Sequence, residues 1–228
     1  MVSSETRRGK EQLDSFNATM ARTSLYDVVA PLYGKLAPAF IERTLSRAVQ
    51  RVAAGSPETL LEVAIGPGHT IPLLQKRTSA RTVAIDTSRP MLRLARGEAS
   101  RTAIDFAALQ GDVLHLPFKS CAFDAVLSTF LVDVIKQRDI EASLSEMVRV
   151  VCPGGRVVIA QLHISSRVIN VLWGVAHRIL PDAIGMLRPV DVSSLFEAAG
   201  LRVLRDEVID ESVGTRVTTL MRVRTSIA

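Results

Sequence analysis

The chain has little of what marks a metal centre, a disulfide scaffold or a membrane anchor. Only two cysteines occur among 228 residues, Cys121 and Cys152, and neither stands in a Cys-x-x-Cys or other metal spacing. The sequence therefore supports neither a disulfide framework nor a zinc site. The four histidines, His69, His115, His163 and His177, show no ligand spacing among themselves, and no metal is expected. No apolar run reaches the ~20 residues of a membrane span. The longest apolar-rich stretch, Val168 to Ala176, is broken by Asn170 and ends at His177 and Arg178. No apolar segment follows the basic residues near the start as it would in a signal peptide. A reducing, cytoplasmic location is the expectation.

What the chain does have is the composition of one well-filled α/β domain, with 47% hydrophobic and 22% charged residues. The formal charge of +5 comes from arginine far more than lysine. The basic residues are interspersed with acidic ones instead of forming blocks, which argues against a dedicated nucleic-acid arm. A solvated mixed-charge surface is the plain reading of this pattern, and contact with an acidic substrate or an anionic membrane face is the functional one.

The stretch Leu60 to Thr70 organises the rest. It reads as a buried strand ending in a Gly66-Pro67-Gly68 turn, with Thr70 placed to cap a helix that carries Pro72 in its first turn. Such a strand, turn and helix form a ligand cradle, because glycine lets the backbone approach and the first helical amides point outward unpaired. Asp86 ends the next apolar run, at the ~20-residue interval of a carboxylate that grips a ribose diol. Glycines alone would mean only a tight turn; with Asp86 they indicate a nucleoside-binding half-domain.

From Leu60 onward strands and helices alternate, which predicts a parallel sheet covered on both faces. An amphipathic helix over about 38–54 precedes it, Ser88 caps the helix after Asp86, and strands are expected near 104–109, 123–128 and 156–162. A helix near 190–199 is followed by two strands, 201–208 and 215–223, with no helix between them, the mark of an antiparallel pair. The expected fold is a Rossmann-like α/β domain: a seven-stranded mixed sheet, parallel except for an antiparallel C-terminal edge strand. Residues 1–37 read as an N-terminal arm or lid, 38–228 as the domain, and 164–188 as an insertion capping the active site.

Four motifs in order carry a family resemblance: Leu61 to Gly68, Ala84 to Leu92, Gln110 to Phe118 with Phe123 to Val126, and Glu146 to Gly155. In these the chain resembles the class I S-adenosylmethionine-dependent methyltransferases, within them the ubiquinone/menaquinone C-methyltransferase-like group. The resemblance implies S-adenosylmethionine as methyl donor, S-adenosylhomocysteine as product and a small-molecule acceptor. It implies that Glu62, Gly66 and Gly68 serve the methionyl end, Asp86 the ribose diol, and Thr87 and Met91 the purine surroundings. Asp112 would receive the adenine amino group, with Val113 beside it, and Thr129 would lie near the amino-acid tail. The chain departs from the pattern at Ala64, where many relatives have glycine, and at Pro67, which removes one amide donor from the loop.

Two side chains are candidates for a general base. His163 is expected just past the fifth strand, on the carboxyl edge where such sheets bind ligands, and Asp133 follows the fourth strand. Their plain readings are a satisfied loop histidine and a helix-capping aspartate. Tyr26 and Tyr33 are candidates for the methyl-transfer site, since an aromatic face suits a sulfonium. The insertion places Trp173 on the broad apolar face of a helix and Met186 in a second apolar patch. Both are candidate acceptor contacts for a bulky apolar or amphiphilic molecule such as a quinone, a natural product or a lipid. Two other readings compete. A nicotinamide oxidoreductase would need a third glycine, and Ile71 occupies its place. A non-catalytic S-adenosylmethionine-binding or protein-interaction module would bind the donor but have no acceptor.

Overall fold

The computed structural model describes residues 39–164, 190–209 and 213–223. The proposed N-terminal arm with Tyr26 and Tyr33, and the insertion with Trp173 and Met186, lie outside the described residues.

Helix α1 (Ala39–Ala53) presents Leu45, Ala48, Val49 and Val52 to the core, and its other face carries Glu42, Arg43 and Gln50 to solvent. Five strands then run parallel: β1 (Thr59–Val63), β2 (Arg81–Asp86), β3 (Phe106–Gln110), β4 (Phe123–Thr129) and β5 (Val151–Ile164). Helices α2 (Ile71–Arg77), α3 (Arg89–Ala99) and α4 (Ile140–Val150) connect or follow them. After α5 (Ser193–Ala198) come β6 (Leu201–Ile209) and β7 (Val213–Arg222).

The sheet order is β3-β2-β1-β4-β5-β7-β6. The seven-stranded mixed sheet is as expected, with one reversed strand, β7. That strand inserts beside β5, antiparallel to both neighbours, so the outer edge is β6. The order reverses direction between β1 and β4, and the two strand ends diverge there to leave a crevice.

Both faces of the central strands are covered, while the edge strands β3 and β6 are largely exposed. Leu61, Val63, Val126, Val157, Ile159 and Leu220 pack under α4 and α5, while Leu60, Leu127, Val158 and Val217 pack under α1 and α2. Burial on both sides explains why β1, β4 and β5 read as nearly continuous apolar runs. Polar ties fix α1 to the reversed strand pair: Thr44 and Thr215 share a buried hydroxyl contact, and Arg51 pairs with Glu207 at 2.5 Å.

The cysteines require a correction. Spacing gave no support for a disulfide, yet Cys121 and Cys152 are joined, with an S–S distance of 2.08 Å across 31 residues of sequence. Adjacency of β4 and β5 brings them together, which a local spacing rule has no means of detecting. In a reducing compartment they would stand as a neighbouring thiol pair.

Candidate cofactor site

The crevice at the carboxyl ends of β1, β2 and β4 opens into a cavity of about 530 Å³. Its floor is the turn after β1. Ala64, Gly66 and Gly68 take left-handed backbone conformations, with φ of 55°, 57° and 89°. For Ala64 this costs about 1 kcal/mol, and glycine would remove the cost. A Cβ on Gly68 would stand 2.9 Å from the Ala95 backbone of α3. The turn is thus pressed against α3, and only glycine fits there.

Asp86 holds the turn in place. Its Oδ2 accepts the Gly66 N–H at 2.8 Å and its Oδ1 accepts the Ser88 N–H at 2.9 Å. A carboxylate offers about four acceptor positions, and the turn's backbone donors from Gly66, Ser88 and Thr87 take most of them. Burial raises its pKa and the backbone donors from Ser88, Gly66 and Thr87 oppose that rise. Ser88 caps α3 as expected, accepting from the Met91 N–H at 3.3 Å.

The second wall comes from a crossover without an α-helix, residues 111–122, between β3 and β4. Asp112 starts a single 3-10 turn, its Oδ1 accepting the Leu114 N–H at 3.0 Å, and Val113 is buried behind it. The crossover is held from α4. Arg149 donates to the carbonyls of Phe118 at 2.6 Å and Leu116 at 2.9 Å, and Glu146 accepts the Leu116 N–H at 2.8 Å. Arg149 in turn holds the Glu146 carboxyl below its usual pKa. A segment that lacks a helix's own hydrogen bonds is fixed by a bidentate arginine instead.

Of the residues singled out in the sequence, Gly66, Asp86, Thr87, Met91, Asp112, Val113 and Thr129 all line this one cavity. Glu62 and Gly68 stand behind its wall. Glu62 is fully buried beneath Thr70, whose hydroxyl donates to the carboxylate, with contacts of 2.9 and 2.7 Å to its two oxygens. The expected capping role of Thr70 is corrected accordingly. Its side chain makes no cap bond to α2, because the buried carboxylate claims the hydroxyl. Residues not singled out also line the cavity, among them Ile41 and Leu45 of α1 and Phe130, Leu131 and Ile135 after β4. Phe130 follows Thr129 directly at φ 59°, which turns the chain sharply off the strand.

His163 and Asp133 are not among the residues that line the cavity. His163 lies inside β5, opposite Gly214 of β7, where a loop position was expected; the β5 ladder simply continues farther than its apolar run. Burial and then Arg216 lower its pKa, against Asp191 and Asp206, so the ring is neutral at pH 7. Asp133 is 2% exposed. One of its oxygens accepts the Leu162 N–H at 3.0 Å, and the other has no partner among the described residues.

Burial raises the pKa of both Glu62 and Asp133 to about 8. Their unfolded values lie near 4, so the folded state holds these protons more tightly than the unfolded one. Their contribution to stability is complete below pH 4 and is lost as the pH rises through 8. The melting temperature of the ligand-free protein is expected to fall by several degrees between pH 6 and 8.5, at ~2–4 °C per kcal/mol. Glu62→Gln or Asp133→Asn should flatten that slope. A melting temperature that is level or rising across the window in the wild type would contradict the assignment.

Among the described residues no helix is long and apolar enough to cross a membrane, and no group of three or more His, Cys, Asp or Glu side chains gathers as a metal site. A glycine turn after β1, a carboxylate at the end of β2 and another just after β3 thus line one crevice of a Rossmann-like domain.

Comparison with known proteins agrees. The family described as "Methyltransferase domain" matches residues 60–155. The chain is 31% identical over 178 residues to the demethylmenaquinone methyltransferase of Thermus thermophilus, a match covering 69% of this chain and 80% of that enzyme. It is 29% identical over 185 residues to the methyltransferase GfsG of Streptomyces halstedii, covering 78% of this chain and 64% of that protein. In fold it is similar to the Haloferax volcanii putative methyltransferase solved in complex with the Trm112 activator. That likeness has a TM-score of 0.69 at 20% identity and covers 94% of this chain and 99% of the other. The chain belongs to the class I S-adenosylmethionine-dependent methyltransferases and is quinone methyltransferase-like.

Proposed function

We propose that the protein methylates a small apolar or amphiphilic acceptor, of quinone, natural-product or lipid type. The observation that carries this reading is the apolar remainder of the cavity. Beyond the residues matched to the donor, its lining includes the apolar side chains of Ile41, Leu45, Phe130, Leu131, Val134 and Ile135, with Lys136, Arg138 and Asp139 supplying charge, a mixture suited to an amphiphile. A small polar acceptor would leave that surface nothing to bury. The names of the relatives, a demethylmenaquinone methyltransferase and the methyltransferase GfsG, support the same class.

Bound S-adenosylmethionine supplies a methyl group already activated on a sulfonium. The chain's own residues then have mainly to position. Asp86 would accept from the ribose hydroxyls and Asp112 from the adenine amino group, while Val113, Met91 and Thr87 would enclose the base. The Gly66 turn and Thr129 hold the amino-acid tail, and Glu62 and Gly68 keep the turn in shape from behind. Holding acceptor, methyl carbon and sulfur in line supplies most of the rate. Where the acceptor must lose a proton, the neutral ring of His163 is the candidate acceptor of it. Asp133, protonated up to about pH 8, follows as a second candidate only above that pH. In this reading residues 1–37 form a lid bringing Tyr26 and Tyr33, and residues 164–188 form a cap bringing Trp173 and Met186 to the acceptor.

Incubation with methyl-labelled donor and a matched pair of acceptors, a demethylated prenyl quinone and its unprenylated analogue, tests the proposal. Label is expected on the prenylated acceptor at the lower KM. Ile41→Asn and Trp173→Ala are expected to narrow the preference about tenfold, the worth of one or two buried methylene groups. Transfer only to the polar analogue would overturn the acceptor class. Donor binding without transfer to any acceptor would favour the non-catalytic module.

A further inference from the structure

A second cavity, of about 310 Å³, lies between α3 and the end of β3 and shares no lining residue with the cofactor cavity. Its walls are Arg89, Arg93 and Arg96 of α3 together with Gln110, over the buried side chain of Leu92. The arginines stand at i, i+4 and i+7, one above another on a single helix face.

No acid lines this cavity. Arg89 donates its Nε to the Gln110 side-chain oxygen at 2.7 Å, and Arg96 donates one Nη to the Ala108 carbonyl at 2.7 Å. Both acceptors are neutral. The guanidiniums are oriented but keep their full charge, with one of five donors used on each. Arg93 has no hydrogen bond or ion pair among the described residues. Other arginines pair with carboxylates, as in Arg51 with Glu207, Arg149 with Glu146 and Arg101 with Glu98 on this same helix, while Arg77, Arg156 and Arg222 donate to neutral oxygens as Arg89 and Arg96 do. Like charges stacked at helical spacing repel until an anion is placed among them.

We propose that this cavity is a binding site for a phosphate-bearing ligand. Several planar, permanently charged and solvent-exposed forks bordering one depression suit the tetrahedral, multi-acceptor phosphate group better than a single carboxylate. The Gln110 amide gives a neutral side to the site, and its nitrogen also donates to the Thr87 carbonyl at 3.0 Å, which anchors the wall to the β2 turn. The volume holds a phosphate or diphosphate with part of its carrier. The phosphate belongs either to a soluble phosphorylated molecule or to the head group of an anionic lipid, and one set of experiments separates the two.

Calorimetry with pyrophosphate at low ionic strength, and co-sedimentation with phosphatidylcholine vesicles with and without phosphatidylglycerol, are run on the full-length protein. Arg93→Gln removes the unpartnered guanidinium, and Arg101→Gln removes one equal charge away from the cavity. Saturable pyrophosphate binding, weakened about tenfold or more by Arg93→Gln and spared by Arg101→Gln, establishes a soluble phosphorylated ligand. Sedimentation only with phosphatidylglycerol vesicles, lost in Arg93→Gln and kept in Arg101→Gln, establishes a lipid head group. Absence of both kinds of binding overturns the proposal. So does equal weakening by the two substitutions, which would mean diffuse surface charge. An unchanged melting temperature in Arg93→Gln confirms that the readout is binding.

Discussion

Asp86→Ala is expected to raise the dissociation constant for S-adenosylmethionine by about 100-fold, the worth of a charge-assisted hydrogen bond to the ligand together with the lost hold on the turn. Two effects act together. The substitution removes the proposed acceptor for the ribose diol, and it releases the Gly66 N–H that Asp86 holds at 2.8 Å. The fold should survive, because Asp86 sits at a strand end and is only partly buried. Calorimetry on the variant, with circular dichroism as a folding control, checks this. Asp86→Asn sharpens the result: it keeps the size and one acceptor oxygen but loses the charge, so it should fall between wild type and alanine. Wild-type affinity in the alanine variant would remove Asp86 from the site.

Gly68→Ala should be strongly destabilising, because backbone strain and overpacking act together there. The residue stands at φ 89°, and the added Cβ would meet the Ala95 backbone at 2.9 Å and Ile71 at 2.8 Å. Left-handed strain of about 1 kcal/mol adds to overpacking of about 1–3 kcal/mol, for a loss of roughly 2–4 kcal/mol. Gly66→Ala is the matched control. Its φ is 57° and nothing lies within 4 Å of its added Cβ, so only the strain remains. Urea unfolding of the two variants should separate them by the overpacking alone. Equal stability would mean that the turn is not pressed against α3.

Much of the cavity's lining was legible because its signals are local. The glycine turn and Asp86 lie on one strand, turn, helix and strand unit, and chain spacing fixes their geometry. Asp112 and Thr129 lie at the ends of neighbouring parallel strands, so recognising the strands brings them to the same edge. What was not legible depends on contacts between distant segments. Thr70 has the right identity and position for a helix cap, yet the hydroxyl turns to Glu62 because an unpartnered buried carboxylate costs more than an unmade cap bond. The same contact withdraws Glu62 from the cavity wall. The Cys121–Cys152 bond and the insertion of β7 beside β5 follow from strand order, which no local pattern encodes. His163 was displaced from loop to strand because β7 extends the ladder past the apolar run. Ile41 and Leu45 reach the cavity from the first turns of α1, whose later turns pack on the sheet face, although their helical pattern alone marks them simply as core.

The most direct test of the donor assignment is calorimetric titration of the wild-type protein with S-adenosylhomocysteine and, separately, with NADH. One saturable site per chain for S-adenosylhomocysteine, and no saturable heat with NADH, is the predicted result. Saturable binding of NADH with none of S-adenosylhomocysteine would contradict it and restore the nicotinamide reading of Asp86.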